Sequence, residues 1–178
     1  MKIITVSNGS NEYPGNFTPK EKTIIRYNST GRVLNLFSGK SLLGDVRVDF
    51  SFGNVKEDVF YYMASVSEHF DTVILDAPYN KKVADKYQEI GDTPNQFIIF
   101  ANSRMTSVLF DYILKMRPKI IILKSWNYYV PKGYEVLKSY LCYPGGYRKS
   151  TILLILKRFE DEKDPLYAYV KKWKEGRQ

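Results

Sequence analysis

The sequence predicts an α/β fold built on a mainly parallel sheet. Two observations carry that expectation. Short, nearly uninterrupted Val/Ile/Leu runs have strand length, and segments of helical period lie between them. A third observation, a Pro-Gly-Gly turn ahead of the last apolar run, predicts a C-terminal antiparallel hairpin. At 178 residues the chain reads as one domain, 1–178, long enough to bury a full core.

The first two strands are expected in "RVLNLF" (32–37) and "DVRVDF" (45–50). "DTVILD" (71–76), "KIIILK" (119–124) and "STILLILK" (150–157) follow, each flanked by turn or charged residues. "YEVLKSYLCY" (134–143) is mixed in character and reads as a strand leading into "PGGYRKS". Helices are expected over 55–70 and 94–118. In the second, Ile98, Ala101, Met105, Val108, Tyr112 and Met116 recur at steps of three and four, and Pro118 marks the end. The tail from Asp164 carries a capping residue, Pro165 in the first turn, and an apolar face of Leu166, Tyr169, Val170 and Trp173. It reads as a helix of about 164–176 docked on the body. No internal repeat, no linker and no separate target-recognition domain is expected.

Composition narrows the function. Cys142 is the only cysteine and His69 the only histidine, which excludes an intrachain disulfide, cysteine-cluster metal sites and multi-histidine zinc sites. No metal ligand is assigned, although carboxylate sites stay open. The apolar runs are too short to span a bilayer, and "MKIITVSNGSNEYPG" does not read as a signal peptide, so a cytoplasmic protein with no membrane partner is expected. Lys and Arg outnumber Asp and Glu by 27 to 19, a formal charge of +8 that makes nucleic acid the first partner to consider. A merely solvated lysine-rich surface is the plain alternative.

"NLFSGKSLLGD" (35–45) contains Gly-Lys-Ser, the end of a phosphate-binding loop. Such a loop needs a glycine five positions ahead of the Gly-Lys pair, so that backbone amides curl round the phosphates; Leu34 stands there. It must also open a helix facing the phosphates, and Gly44-Asp45 breaks the chain before the next strand instead. A nucleotide hydrolase is therefore set aside. What remains is a strand, a turn with small residues at Ser38 and Gly39, a shortened crossover, and a second strand ending in Asp49. The small residues allow close approach of a ligand, and an acidic residue at that strand end can accept hydrogen bonds from ribose hydroxyls.

Asp76-Ala77-Pro78-Tyr79 follows the buried strand "TVIL", where an ionised carboxylate belongs at the sheet edge, facing ligand or water. "LDAPY" resembles the Asp-Pro-Pro-Tyr signature of class I AdoMet-dependent amino-methyltransferases that act on adenine or cytosine. "VLNLFSG" resembles their cofactor motif, in which Asp is common where Asn35 stands. "NFTPKEKTII" (16–25) is weakly similar to the segment that precedes that motif and covers the cofactor. The resemblance spans 16–80 by motif and the remainder by strand order. It implies a Rossmann-like methyltransferase fold that binds S-adenosyl-L-methionine through Thr18, Asn35, Phe37, Ser38, Gly39, Asp49 and Asn54. Ala77 in place of the first proline loosens the loop, and Asn35 and the shortened crossover alter the cofactor turn.

The implied chemistry gives each residue of the tetrapeptide a task. An exocyclic amine is a poor nucleophile because its lone pair is delocalised into the ring. Acceptors aimed at both amino hydrogens, Asp76 and the carbonyl of Ala77, favour a pyramidal nitrogen with a localised lone pair. Pro78 stiffens the loop, and Tyr79 stacks on a base taken out of its helix. Trp126, Tyr128 and Tyr129 are expected at the same edge, either stacking on bases or padding the rim. Tyr147 and Arg148, with Lys149, either contact phosphate or are simply exposed. The expected substrate is DNA, with RNA bases and protein glutamine as alternatives. A catalytically inactive nucleic-acid-binding domain on the same fold is the rival of another class. Without a recognition domain, specificity must be short, absent, or supplied by a homodimer or specificity partner.

Overall fold

A computed structural model describes residues 2–5, 17–78, 103–143 and 150–159. Eleven elements occur among them. They are β1 (Lys2–Thr5), α1 (Pro19–Asn28), β2 (Val33–Leu36), β3 (Val46–Asp49), β4 (Val55–Lys56), α2 (Val59–Ser65), β5 (Thr72–Leu75), α3 (Ser103–Met116), β6 (Ile120–Ser125), β7 (Tyr134–Tyr143) and β8 (Thr151–Arg158). The eight strands form one sheet in the order β1-β7-β8-β6-β5-β2-β3-β4. Every pairing is parallel except those of β8, which runs antiparallel to both β6 and β7. The protein is thus α/β with a mainly parallel mixed sheet and a C-terminal antiparallel hairpin, as the apolar runs predict.

The inner strands β5 and β6 are buried along their whole length, which is why their sequences are continuous rather than alternating. Successive side chains still point to opposite faces. Leu34, Leu36, Val73, Leu75, Ile121, Leu123, Leu154 and Leu156 face α2 and α3, joining Val59, Met63, Leu109, Phe110 and Ile113 in one core. Ile74, Ile120, Ile122, Leu153 and Ile155 face the other way and pack with Phe17 and Ile25, on either side of the start of α1 and within it. Lys138 of β7 ties α1 down further, donating to Asn28 Oδ1 at 2.8 Å and lying over the Tyr27 ring.

The helices depart from the sequence expectation in instructive ways. α1, not anticipated as a helix, opens with a complete capping box: Thr18 Oγ1 accepts from the Glu21 amide and Glu21 Oε2 from the Thr18 amide, with Pro19 in the first turn. The helix expected over 55–70 shrinks to α2. Asp58 caps the amides of Phe60 and Tyr61 and so fixes the start, leaving Val55 and Lys56 to pair with β3 as β4. At the other end Val66 turns extended, so His69 lies beyond the helix and is exposed.

In α3 the buried residues are Leu109, Phe110 and Ile113, whereas Val108 is exposed. Of the expected stripe, Tyr112 and Met116 pack against the core and Met105 is half-buried, while Val108 faces outward and Leu109, Phe110 and Ile113 take the fully buried positions. Arg117, at φ 51°, ends the helix ahead of Pro118. The part of that helix expected over 94–102 and the C-terminal helix of about 164–176 lie outside the described residues.

Candidate functional site

From β2 the chain runs outward through β3 to β4, then returns to β5 on the other side of β2. The direction of strand order therefore reverses between β2 and β5, and ligands of such sheets bind in the crevice outside the carboxyl ends at that reversal. Residues 37–39, Asp49 and Asp76-Ala77-Pro78 all follow or end strands at this edge.

The turn after β2 is held by side chains and backbone, with no helix after it. Phe37 and Gly39 both adopt positive φ, 56° and 49°. For phenylalanine that conformation costs about 1–2 kcal/mol. Ser38 N donates to Val48 O at 3.1 Å, and Gly39 N donates to Asp49 Oδ2 at 2.8 Å. The other carboxylate oxygen of Asp49 accepts from the amides of Ser51 (3.1 Å) and Phe52 (3.0 Å). Asn35 is fully buried, and its Nδ2 donates to Leu43 O at 3.0 Å. These bonds explain why Gly-Lys-Ser is not a phosphate loop: the Gly39 amide is already spent on a carboxylate, whose charge repels phosphate from the same spot.

Asp76 follows β5, with its side chain only 8% exposed. In the register that pairs Ile74 with Ile122, the next positions on the same face are Asp76 and Lys124. Lys124 Nζ lies 4.0 Å from Asp76 Oδ2 and 3.3 Å and 3.4 Å from the two carboxylate oxygens of Glu21. It also sits over the Phe17 ring, 5.0 Å from the centroid. Burial pushes the Asp76 carboxyl up to about 7; the Lys124 charge opposes that rise and Glu21 adds to it. Ala77 and Pro78 are buried.

The sequence reading missed Glu21 and Lys124. Both left a signal: Thr18-x-x-Glu21 is a capping-box spacing, and period two along "KIIILK" turns Lys124 to the same face as Ile120 and Ile122.

Other expected site residues are distributed as follows. Thr18 caps α1, beside Glu21. Asn54 is exposed, and its amide group bridges β3, accepting from Arg47 N at 2.6 Å and donating to Asp45 O at 2.9 Å. Trp126 is half-buried and Tyr128 exposed just past β6, while Tyr129 packs against Phe110 of α3 with ring centroids 4.6 Å apart. Tyr79, Tyr147 and Arg148 lie outside the described residues.

Among the described residues no group of three or more His, Cys, Asp and Glu gathers to hold a metal ion, and no helix is long and apolar enough to cross a membrane. The donor set at the crevice does suit S-adenosyl-L-methionine. Ser38 and Gly39 are buried small residues at the reversal point, and an ionised Asp76 carboxyl would suit a cationic sulfonium, whereas Asp49 is already engaged by three backbone amides. No protein-family model, curated protein or solved structure matches this chain.

Proposed function

We propose that this protein is a methyltransferase of Rossmann-like fold that moves a methyl group from S-adenosyl-L-methionine to an exocyclic amino nitrogen of adenine or cytosine, most readily in DNA. The observation that carries the reading is the buried Asp76 carboxylate at the carboxyl end of β5, beside the turn after β2. The sulfonium cofactor supplies the electrophilic methyl group when bound; the chain's own residues do the rest. The 37–39 turn and Asp49 hold the cofactor at the crevice. Asp76 and the Ala77 carbonyl accept from the target amine and orient its lone pair. Pro78 limits the loop's freedom, and Tyr79 stacks on the base. Positioning of this kind supplies most of the rate, since holding reactants in line replaces a bimolecular encounter. The +8 charge favours a polyanionic substrate.

A second reading, a non-catalytic nucleic-acid-binding domain on this fold, draws support from Asp49. Its carboxylate already serves three backbone amides and is 7% exposed, which leaves little of it for a ribose. Labelled S-adenosyl-L-methionine offered with unmethylated DNA, RNA and a protein extract separates these readings. Label entering DNA as methylated adenine or cytosine, and lost in Asp76→Ala, supports the methyltransferase. Label only in RNA or protein keeps the chemistry and changes the substrate. No transfer and no cofactor binding, with salt-sensitive DNA binding intact, leaves the binding domain.

A further inference from the structure

Four ionisable side chains, Asp76 among them, converge on the α1 face of the sheet. Glu21 comes from α1, Asp76 from the end of β5, Lys124 from β6 and Cys142 from β7. The side chains of Glu21, Asp76 and Lys124 are 1%, 8% and 9% exposed, so water does little to screen them. Glu21 is well supported: it accepts from the Thr18 amide at 2.7 Å and from Lys124 at 3.4 Å. Among the described residues Asp76 has no hydrogen bond, and the cation facing it there is Lys124 at 4.0 Å. Burial pushes the Cys142 thiol up to about 12, so it stays neutral and adds no charge. One ammonium thus stands between two carboxylates, bonded to one and within reach of the other.

We propose that Lys124 is a positioning residue: anchored by Glu21, its ammonium sets the charge and direction of Asp76 at the crevice. This rests on the methyltransferase reading for its consequence, because an ionised Asp76 is the acceptor that reading requires. Lys124 and Glu21 act in opposite senses. Loss of Lys124 removes the cation that faces Asp76 among the described residues, so the carboxyl holds its proton to higher pH. Loss of Glu21 removes a neighbouring anion and frees the ammonium for Asp76, so the proton leaves at lower pH.

The test pairs two readouts on the full chain: methyl transfer against pH, and the titration of the Asp76 carboxyl by carbon NMR, assigned by its loss in Asp76→Asn. Lys124→Gln is expected to move the Asp76 titration and the acid limb of the rate upward by about one pH unit or more, a loss of roughly tenfold near neutral pH that recovers in alkali. Lys124→Arg keeps both near wild type. Glu21→Gln moves both downward, and decides the matter should Lys124→Gln fail to fold. An Asp76 titration unmoved in both Lys124→Gln and Glu21→Gln overturns the proposal, whatever the activity. Opposite shifts without transfer by the wild type support the role of Lys124 and defeat the methyltransferase reading instead.

Discussion

Replacing Asp76 by asparagine changes one proton and almost no volume, so its effect on stability reads the electrostatic cost of the carboxylate directly. A carboxyl raised from 3.8 to about 7 binds its proton more tightly in the folded chain than in the unfolded one. The folded state therefore loses stability as pH rises from about 4 toward 7, and loses no more beyond. The shift is about three units, and each unit is worth about 1.4 kcal/mol, giving a plateau near 4 kcal/mol. Asp76→Asn should match the wild type near pH 4, gain on it through the intervening range, and exceed it by up to about 4 kcal/mol at pH 8. The amide leaves Lys124 its partner in Glu21, so the variant strands no cation. Urea midpoints of the two proteins across this range measure the difference. A constant difference across that range, or a wild type that gains on the variant as pH rises, would refute the reasoning. Either would mean that Lys124 holds Asp76 ionised throughout. Under the proposed function the same substitution abolishes transfer, so stability and activity should move in opposite directions.

Three further outcomes follow from the edge that surrounds the site. A Cβ at Gly53 would lie 2.2 Å from Arg47 O and 2.8 Å from both Asp49 N and Val55 O, all backbone atoms. Gly53→Ala should cost about 3 kcal/mol or more in denaturant and loosen the β3–β4 edge. Asp49→Ala strands three amides; some regain water, and a loss of about 3 kcal/mol is expected in unfolding, with weakened S-adenosyl-L-methionine binding by calorimetry. Tyr134→Phe removes the bond from the buried Tyr134 hydroxyl to Pro118 O, 2.6 Å long, and should cost about 1–2 kcal/mol with no effect on transfer.

β5, β6 and β8 were legible because a sheet covered on both faces demands continuous apolar runs. β2 and β3 were legible because their shorter apolar stretches are bounded by turn or charged residues, and β7, mixed in character, because a Pro-Gly-Gly turn follows it. β4 was not, since two residues show no period, and β1, a lone short apolar stretch at Lys2–Thr5, reads in the sequence only as lacking the apolar length of a signal peptide. The same brevity hid the true extent of α2, whose start is set by a single cap at Asp58. At the site, the order of the turn after β2, Asp49 and Asp76 along the chain sufficed to bring them to one sheet edge, because parallel strands share their carboxyl ends. Lys124 and Glu21 were harder to read, since a charged residue flanking an apolar run looks like an exposed boundary. Only the β5–β6 register and the capped α1 bring those two side chains against Asp76.

The short crossover also explains why a buried asparagine stands at position 35. β2 and β3 are adjacent parallel strands joined by nine residues with no helix between them, so other groups must hold the loop. Asn35 does so through Nδ2, which donates to Leu43 O, while its Oδ1 has no hydrogen-bond partner among the described residues. An ionised aspartate at this position would have no hydrogen to give. In Asn35→Asp the new carboxylate would set one oxygen against the Leu43 carbonyl and leave the other unbonded in a fully buried site. The expected cost at neutral pH is about 3 kcal/mol, from an orphaned carbonyl and a desolvated charge. Protonation restores a donor, so the new carboxyl's folded pKa is raised and the loss should shrink as pH falls toward about 4. Urea midpoints at neutral and acid pH check this. An Asn35→Asp variant as stable as the wild type at neutral pH would show that the Leu43 carbonyl finds another donor, and that the loop does not depend on Asn35.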